Sequence, residues 1–143
     1  MTNKLFQKPE LLDVKRMLSD TNLPTGDLAD VNLDHFWACG ETSNPKGIIG
    51  VEVYGKDGLL RSLAVAPGVQ GQGCGSSLVT MLEDYAKSIG IEVLYLLTES
   101  AEKYFLSKGF DVIERDCASD AIKKTREFSE LCPDNATLMR KFL

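Results

Sequence analysis

The run Gln70-Gly71-Gln72-Gly73-Cys74-Gly75 is where residue types and spacing most clearly permit chemistry. It lies between the apolar stretch Leu63-Ala64-Val65-Ala66-Pro67 and an apolar-periodic run from Ser76 to Ile89, which reads as strand, glycine-rich turn, helix. Glycine permits positive φ and lets the backbone come close to a ligand. A helix start adds unpaired N–H groups and the positive end of the helix dipole, and the combination suits a phosphate. The turn is not a P-loop, since no Lys-Ser/Thr pair follows the last glycine. Nor is it a dinucleotide fingerprint: the glycines are too closely spaced for G-x-G-x-x-G, and no acidic residue ends the following apolar run Val93–Leu97. The plain alternative is a structural turn with more glycine than it needs.

The same residues carry a family resemblance. Gln70-x-x-Gly73-x-Gly75 after Leu63-Ala64-Val65-Ala66-Pro67 resembles the acetyl-CoA pyrophosphate loop of the GCN5-related N-acetyltransferases. Downstream, Leu96-Leu97-Thr98, Ala101-Glu102-Lys103-Tyr104-Phe105 and Gly109-Phe110 resemble that family's later strand and helix, which end in a Gly-Phe pair. Four further segments are similar to the arsenic-resistance-type amino-acid N-acetyltransferases: Leu23-Pro24-Thr25-Gly26-Asp27, Leu59-Leu60-Arg61-Ser62-Leu63, Thr125-Arg126-Glu127-Phe128 and Leu131-Cys132-Pro133. The resemblance implies one acetyltransferase domain over residues 1–143, with acetyl-CoA as co-substrate and no metal. It implies direct acetyl transfer to the amine of an amino acid or amino-acid-like small molecule. An arsenic- or phosphorus-containing amino-acid antimetabolite is the acceptor that the narrower likeness implies. A protein or peptide amine acetyltransferase and a non-catalytic CoA-binding sensor are the alternatives.

The resemblance also assigns residues. Gln70, Gly71, Gln72, Gly73, Cys74, Gly75 and Ser76 would hold the pyrophosphate, and backbone N–H groups from Leu63 through Ala64 to Val65 would bind the pantetheine and polarise the thioester carbonyl. Thr98, Ala101 and Phe105 would complete the cofactor contacts. Transfer from an activated thioester gains most from placing a neutral amine against the carbonyl carbon. A base for the ammonium, a donor for the oxyanion and an acid for the thiolate are further aids. The family often supplies that acid as a tyrosine before Gly-Phe. Here Phe105 stands at that position and Tyr104 one residue earlier, turned by about a hundred degrees around the helix. A thiol with a pKa near ~8.5 leaves adequately as thiolate, so the acid is dispensable. Tyr104 is a candidate catalytic or cofactor-contacting residue, or an amphipathic packing residue.

Glu52 in Gly50-Val51-Glu52-Val53-Tyr54 shares a strand face with Gly50 and Tyr54, and the neighbouring strand carries Arg61 between Leu60 and Ser62. An acid and a base on adjacent strands suit an amino-acid acceptor. The guanidinium fork would hold its carboxylate, with Ser62 beside it, and Glu52 would take the ammonium proton, directly or through water. The plain alternative is a cross-strand pair that stabilises the hairpin. Arg126 would line the acceptor pocket from the other side, or form a solvated pair with Glu127.

Composition bounds the partners. At 143 residues, 43% hydrophobic and 26% charged, the chain fits one soluble globular domain. A net charge of −5 argues against nucleic acid, whose backbone needs clustered Lys and Arg. No apolar run is long enough to span a bilayer and no signal-peptide core follows Met1, so no membrane partner and a cytoplasmic location are expected. A homodimer is compatible with this reading. The four cysteines, Cys39, Cys74, Cys117 and Cys132, are scattered without C-x-x-C, and give neither a zinc spacing nor a disulfide framework. Cys74 and Cys132 read as small buried fillers. The single histidine, His35, reads as a partly buried or surface residue at a strand start.

The elements that would position these groups follow from pattern. Pro9 opens a helix carrying Leu11, Val14 and Leu18 up to Ser19, and Asp27 caps a short helix over Leu28–Val31. His35–Gly40 and Gly47–Tyr54 are strands, and Lys56-Asp57-Gly58 closes a hairpin onto Leu59–Val65. A long helix carries Leu78, Leu82, Tyr85 and Ile89 and ends at Gly90. Val93–Leu97 is a central strand, Ser100–Lys108 a helix closed by Gly109, and Phe110–Arg115 a strand. Ala118–Thr125 is a helix capped by Ser119 or Asp120, and Ala136–Leu143 the last strand. Antiparallel hairpins preceding a βαβ unit make the class α+β. The resemblance implies a mixed, mostly antiparallel sheet of six to seven strands flanked by helices and splayed at the acetyl-CoA site.

Overall fold

The computed structural model describes residues 6–9, 11–20, 35–41, 44–66, 73–125, 128 and 136–143. The short helix expected over Leu28–Val31 lies outside them. The elements run β1 (Phe6–Gln7), α1 (Leu11–Asp20), β2 (Phe36–Glu41), β3 (Asn44–Tyr54), β4 (Asp57–Val65), α2 (Cys74–Ser88), β5 (Val93–Thr98), α3 (Glu102–Ser107), β6 (Asp111–Ile113), α4 (Asp120–Lys123) and β7 (Thr137–Phe142). The hydrogen-bonded strand order is β1-β2-β3-β4-β5-β7-β6. The β4–β5 pair is parallel, while β1–β2, β2–β3, β5–β7 and β6–β7 are antiparallel. The α+β class with a mixed, mostly antiparallel sheet is thus the observed one. Among the described residues no helix is long and apolar enough to cross a membrane.

The chain divides into two compact units, Met1–Glu52 with Arg61–Tyr85, and Val53–Leu60 with Ala86–Leu143. In the first, Val14, Met17 and Leu18 form the buried face of α1 and pack with Phe36, Ala38, Ile48 and Ala64. Alternation along β2 sends Phe36 and Ala38 to that cluster, while Trp37 and Cys39 meet α2 through Tyr85 and Cys74. The β2–β3 ladder pairs Phe36 with Gly50 and Ala38 with Ile48, then shifts register between Cys39 and Gly40, where Gly40 has φ +96°. Gly50 is a matter of space: a Cβ there would lie 2.6 Å from the Phe36 ring. The ring fills what a side chain would occupy.

In the second unit, β5 buries Leu94, Tyr95 and Leu96 in succession, as expected of a strand paired on both sides. Its parallel ladder with β4 covers Asp57–Leu59 against Val93–Tyr95, whereas its antiparallel ladder with β7 runs its whole length. Leu59, Tyr95, Ala118, Ile122 and Leu138 form the core. The end of α2 and the end of α3 are built alike. Ile91 N–H reaches Ala86 C=O and Phe110 N–H reaches Phe105 C=O, with Gly90 at φ +93° and Gly109 at φ +91° in the left-handed position a Schellman ending needs. Ser119 caps α4, its Oγ accepting from Ile122 N–H at 3.4 Å. Ile89, expected on the buried face of α2, instead lies beyond the helix end and is exposed.

The hairpin differs from the expected one. Its turn is Gly55-Lys56 rather than Lys56-Asp57-Gly58, and Gly55 has φ +64°, the first central position of a type II′ turn. Asp57 and Gly58 already belong to β4, where Gly58 is buried.

Candidate active site

Glu52 near the end of β3 and Arg61-Ser62 within β4 meet in the first unit. Arg61 Nη1 donates to Glu52 Oε2 at 2.9 Å, and Arg61 Nε donates to Ser62 Oγ at 3.0 Å. The guanidinium carbon lies 5.9 Å from the centre of the Phe36 ring. Arg61's side chain has no solvent exposure, while Glu52 keeps 14%. A guanidinium taken wholly out of water needs its charge matched and its donors used, and Glu52 and Ser62 do this. The solvent-facing member of the pair is therefore the carboxylate.

The Arg61–Ser62 bond is unusual for neighbours, because successive side chains on a regular strand point to opposite faces. Ser62 has φ +63°, and no other non-glycine among the described residues has positive φ. This left-handed kink brings Ser62 Oγ round to the Arg61 side, and residues Gly58 to Ser62 are consecutively buried. Such a conformation costs roughly 1–3 kcal/mol in a non-glycine residue and persists only where the surroundings over-determine it. Nothing in the residue type announces it. The aromatic support under Arg61 was equally silent in the sequence, although a glycine directly opposite an aromatic residue is a signal that register, once known, would expose.

Beyond the kink, β4 ends at Leu63, Ala64 and Val65, with Ala66 N–H bonded to Lys46 C=O at 2.8 Å. Gln70, Gly71 and Gln72 lie outside the described residues. Gly73 has φ +84°, and its carbonyl accepts from Ser77 N–H at 3.0 Å to open α2. The N–H groups of Cys74, Gly75 and Ser76 precede that bond, in the first turn of α2. These residues fit an anionic group approaching the backbone. Cys74 is buried, as a filler would be, but it is disulfide-bonded to Cys39. This corrects the expectation of no disulfide: a separation of 35 residues restricts nothing once β2 and the start of α2 are side by side. His35 is half-buried just before β2, within 2.7 Å of the Tyr85 hydroxyl.

The remaining candidates belong to the second unit. Thr98 Oγ1 accepts from Ala101 N–H at 2.9 Å, fixing the entry to α3. Phe105 is buried between Tyr104 and Phe110, with ring centres 5.2 and 5.6 Å apart and edge-on geometry. Tyr104 Oη is buried and has no hydrogen-bond partner, a condition shared among the described residues only by Trp37 Nε1. A buried hydroxyl in that state is a donor for a ligand or an uncompensated desolvation. Arg126 lies outside the described residues.

Comparison with known proteins identifies the class to which this fold belongs. The chain belongs to the acetyltransferase (GNAT) family, whose model matches residues 7–110. A relative, the amino-acid acetyltransferase of Ralstonia nicotianae, is 36% identical over 66 residues, which is 45% of this chain and 15% of that protein. The chain therefore spans a small part of that relative's length. Among solved structures, N-acetylglutamate synthase from Neisseria gonorrhoeae, complexed with coenzyme A and N-acetyl-glutamate, matches with TM-score 0.82 at 18% identity over 100% of this chain and 36% of that one. A Mycobacterium tuberculosis protein in complex with CoA and NLQ matches with TM-score 0.77 at 20% identity, over 97% of this chain and 99% of that one. At such identities these likenesses establish the fold.

Proposed function

We propose that the chain is a single N-acetyltransferase domain that moves acetyl from acetyl-CoA to the amine of an amino acid or amino-acid-like small molecule. The observation that carries this is Glu52, held by a buried Arg61 and partly open to solvent, with the backbone of Leu63–Val65 beginning two residues beyond Arg61. Acetyl-CoA supplies an activated thioester. Glu52 takes the proton of the acceptor ammonium, directly or through water, so that a neutral amine meets the carbonyl carbon. Backbone N–H groups from Leu63 to Val65 donate to the oxygen that gains charge. The N–H groups from Gly73 to Ser76 hold the pyrophosphate, with Gln70, Gly71 and Gln72 as further cofactor-binding residues. Thr98, Ala101 and Phe105 serve as further cofactor contacts, and Tyr104 as a hydroxyl donor.

Support for the small acceptor comes from similarity to the Ralstonia amino-acid acetyltransferase and from the amino-acid product bound by the Neisseria synthase. The arsenic- or phosphorus-containing antimetabolite is the narrower member of that class, with Arg126 on its carboxylate side, while Arg61, wholly buried and bonded to Glu52 and Ser62, positions the Glu52 carboxylate rather than the acceptor's. A protein or peptide amine is the second reading, and one observation favours it: a guanidinium already bound to Glu52 and Ser62 has less to offer a free carboxylate. The deciding experiment is thiol release from acetyl-CoA, screened over amino acids, their phosphino and arsono analogues, polyamines and peptides. Turnover confined to molecules bearing a free α-carboxylate supports the proposal. Turnover only with peptides moves the assignment to the second reading, and CoA binding without turnover on any amine refutes an enzymatic role.

A further inference from the structure

We propose that the Cys39–Cys74 disulfide is a reversible thiol–disulfide switch that sets the affinity of the glycine turn for acetyl-CoA, an inference that rests on the reading of that turn as the cofactor site. Cys74 sits between Gly73 and Gly75 as the first residue of α2, among the N–H groups assigned to the pyrophosphate. Its partner Cys39 lies on β2, opposite Gly47 of β3 in the ladder. A Cβ at Gly47 would come within 2.6 Å of Cys74 Sγ and 2.9 Å of Leu78 Cδ1, so the sulfur lies directly on the β3 backbone. The covalent tie thus runs from β2 across β3 to the turn.

Glycines flank Cys74, and they have the largest backbone freedom to regain when a tether is cut. With the bond closed, the position of the Cys74 backbone is fixed against two strands before ligand arrives. With it open, binding must order the Gly73-Cys74-Gly75 segment at the same time as it gains the phosphate contacts. Preorganisation of this kind appears as affinity, so the oxidised form binds more tightly. The exchange balances with a low-molecular-weight thiol as reductant. One thiolate attacks a bridge sulfur and gives a mixed disulfide and a cysteine thiolate; a second displaces the first cysteine as well. Two electrons and two protons convert the bridge to Cys39–SH and Cys74–SH, and two molecules of reductant leave as their disulfide.

The test is calorimetric titration of coenzyme A into the oxidised protein, the protein reduced with dithiothreitol, and the reduced protein reoxidised. The thiol state of Cys39 and Cys74 is read by alkylation and peptide mass, with the exposed free Cys117 as the site that alkylates throughout. Reduction should raise the Kd about 3- to 10-fold, the effect of ordering one or two extra side-chain or backbone units on binding, and reoxidation should restore it. Cys39→Ser should show the reduced-form Kd with and without dithiothreitol, and Cys39→Ala provides the same comparison if the serine variant misfolds. An unchanged Kd across verified redox states overturns the switch while leaving the cofactor site standing. So does a dithiothreitol effect that persists in both Cys39 variants, or a failure of the bridge to form under oxidant. Absence of coenzyme A binding in every form overturns both the switch and the cofactor reading beneath it.

Discussion

Replacing Ser62 by alanine and, separately, by glycine separates the two things that residue does. Its Oγ accepts from Arg61 Nε at 3.0 Å inside the protein, and its backbone holds φ +63°. Alanine removes the acceptor and keeps the backbone penalty. A net hydrogen bond to a charged group contributes about 1.5–3 kcal/mol, so Ser62→Ala should lower unfolding free energy by that amount. Glycine loses the same bond but escapes the left-handed penalty of roughly 1–2 kcal/mol. Against this stands the greater unfolded-state entropy of glycine, roughly 0.5–1 kcal/mol. Ser62→Gly should therefore be the more stable variant by about 0.5–1 kcal/mol. The sign is what matters, because in a regular strand interior glycine falls below alanine by a similar margin. Urea unfolding followed by circular dichroism, with equal m-values for the two variants, reads the difference. An alanine variant as stable as the glycine one, or more so, would refute the kinked-strand account of how Arg61 is held.

Gly73→Val should block close backbone approach at φ +84° and raise the coenzyme A Kd tenfold or more, about 1.4 kcal/mol, by calorimetry; unchanged affinity in a folded variant removes the pyrophosphate assignment. Tyr104→Phe should lower kcat by far less than the ~10²–10⁴-fold expected on losing a general acid. Since Tyr104 Oη is buried without a partner, the variant should be at least as stable as the parent; a large kcat loss at intact cofactor affinity would show an acid after all. Glu52→Gln should lower kcat most where the amine is protonated, with activity recovering as pH rises toward the amine's own pKa. Arg61→Lys should lower kcat at near-constant acceptor KM and spare cofactor affinity, as for a buried residue that positions Glu52; a raised KM at constant kcat would show instead that Arg61 reaches the acceptor's carboxylate.

The parts of the fold legible in the sequence were those whose determinants are local. Apolar β5, the periodicity of α1 and α2, and the glycines at positions 90 and 109 each act through their own turn or face. The Glu52–Arg61 pairing was legible as well, because a hairpin fixes which residues can meet. The hairpin turn itself was misplaced by three competing turn residues in a row, and Gly55 settled it because glycine takes the first corner at φ +64° without the penalty a side chain carries there. What depended on tertiary contact was invisible: the Cys39–Cys74 bond, the left-handed Ser62 and the two-residue strand β1. A serine carries no mark of the backbone region it occupies, and a cysteine no mark of its partner.

Gly50 and Phe36 occupy a single volume between them, since three ring atoms lie within 2.7 Å of where a Cβ at position 50 would be. They are therefore one heritable unit rather than two. A methyl group added at 50 has to be subtracted at 36, and a lineage that drifts at either position alone passes through a crowded or hollow intermediate. Gly50→Ala with Phe36→Leu should accordingly be less damaging than the sum of the two single changes, a coupling that a double-mutant cycle of unfolding free energies measures directly. Glu52 lies two residues along the same face. Any attempt to reshape the surroundings of Glu52, the proposed acceptor side, thus starts from a pair of positions that can only be moved together.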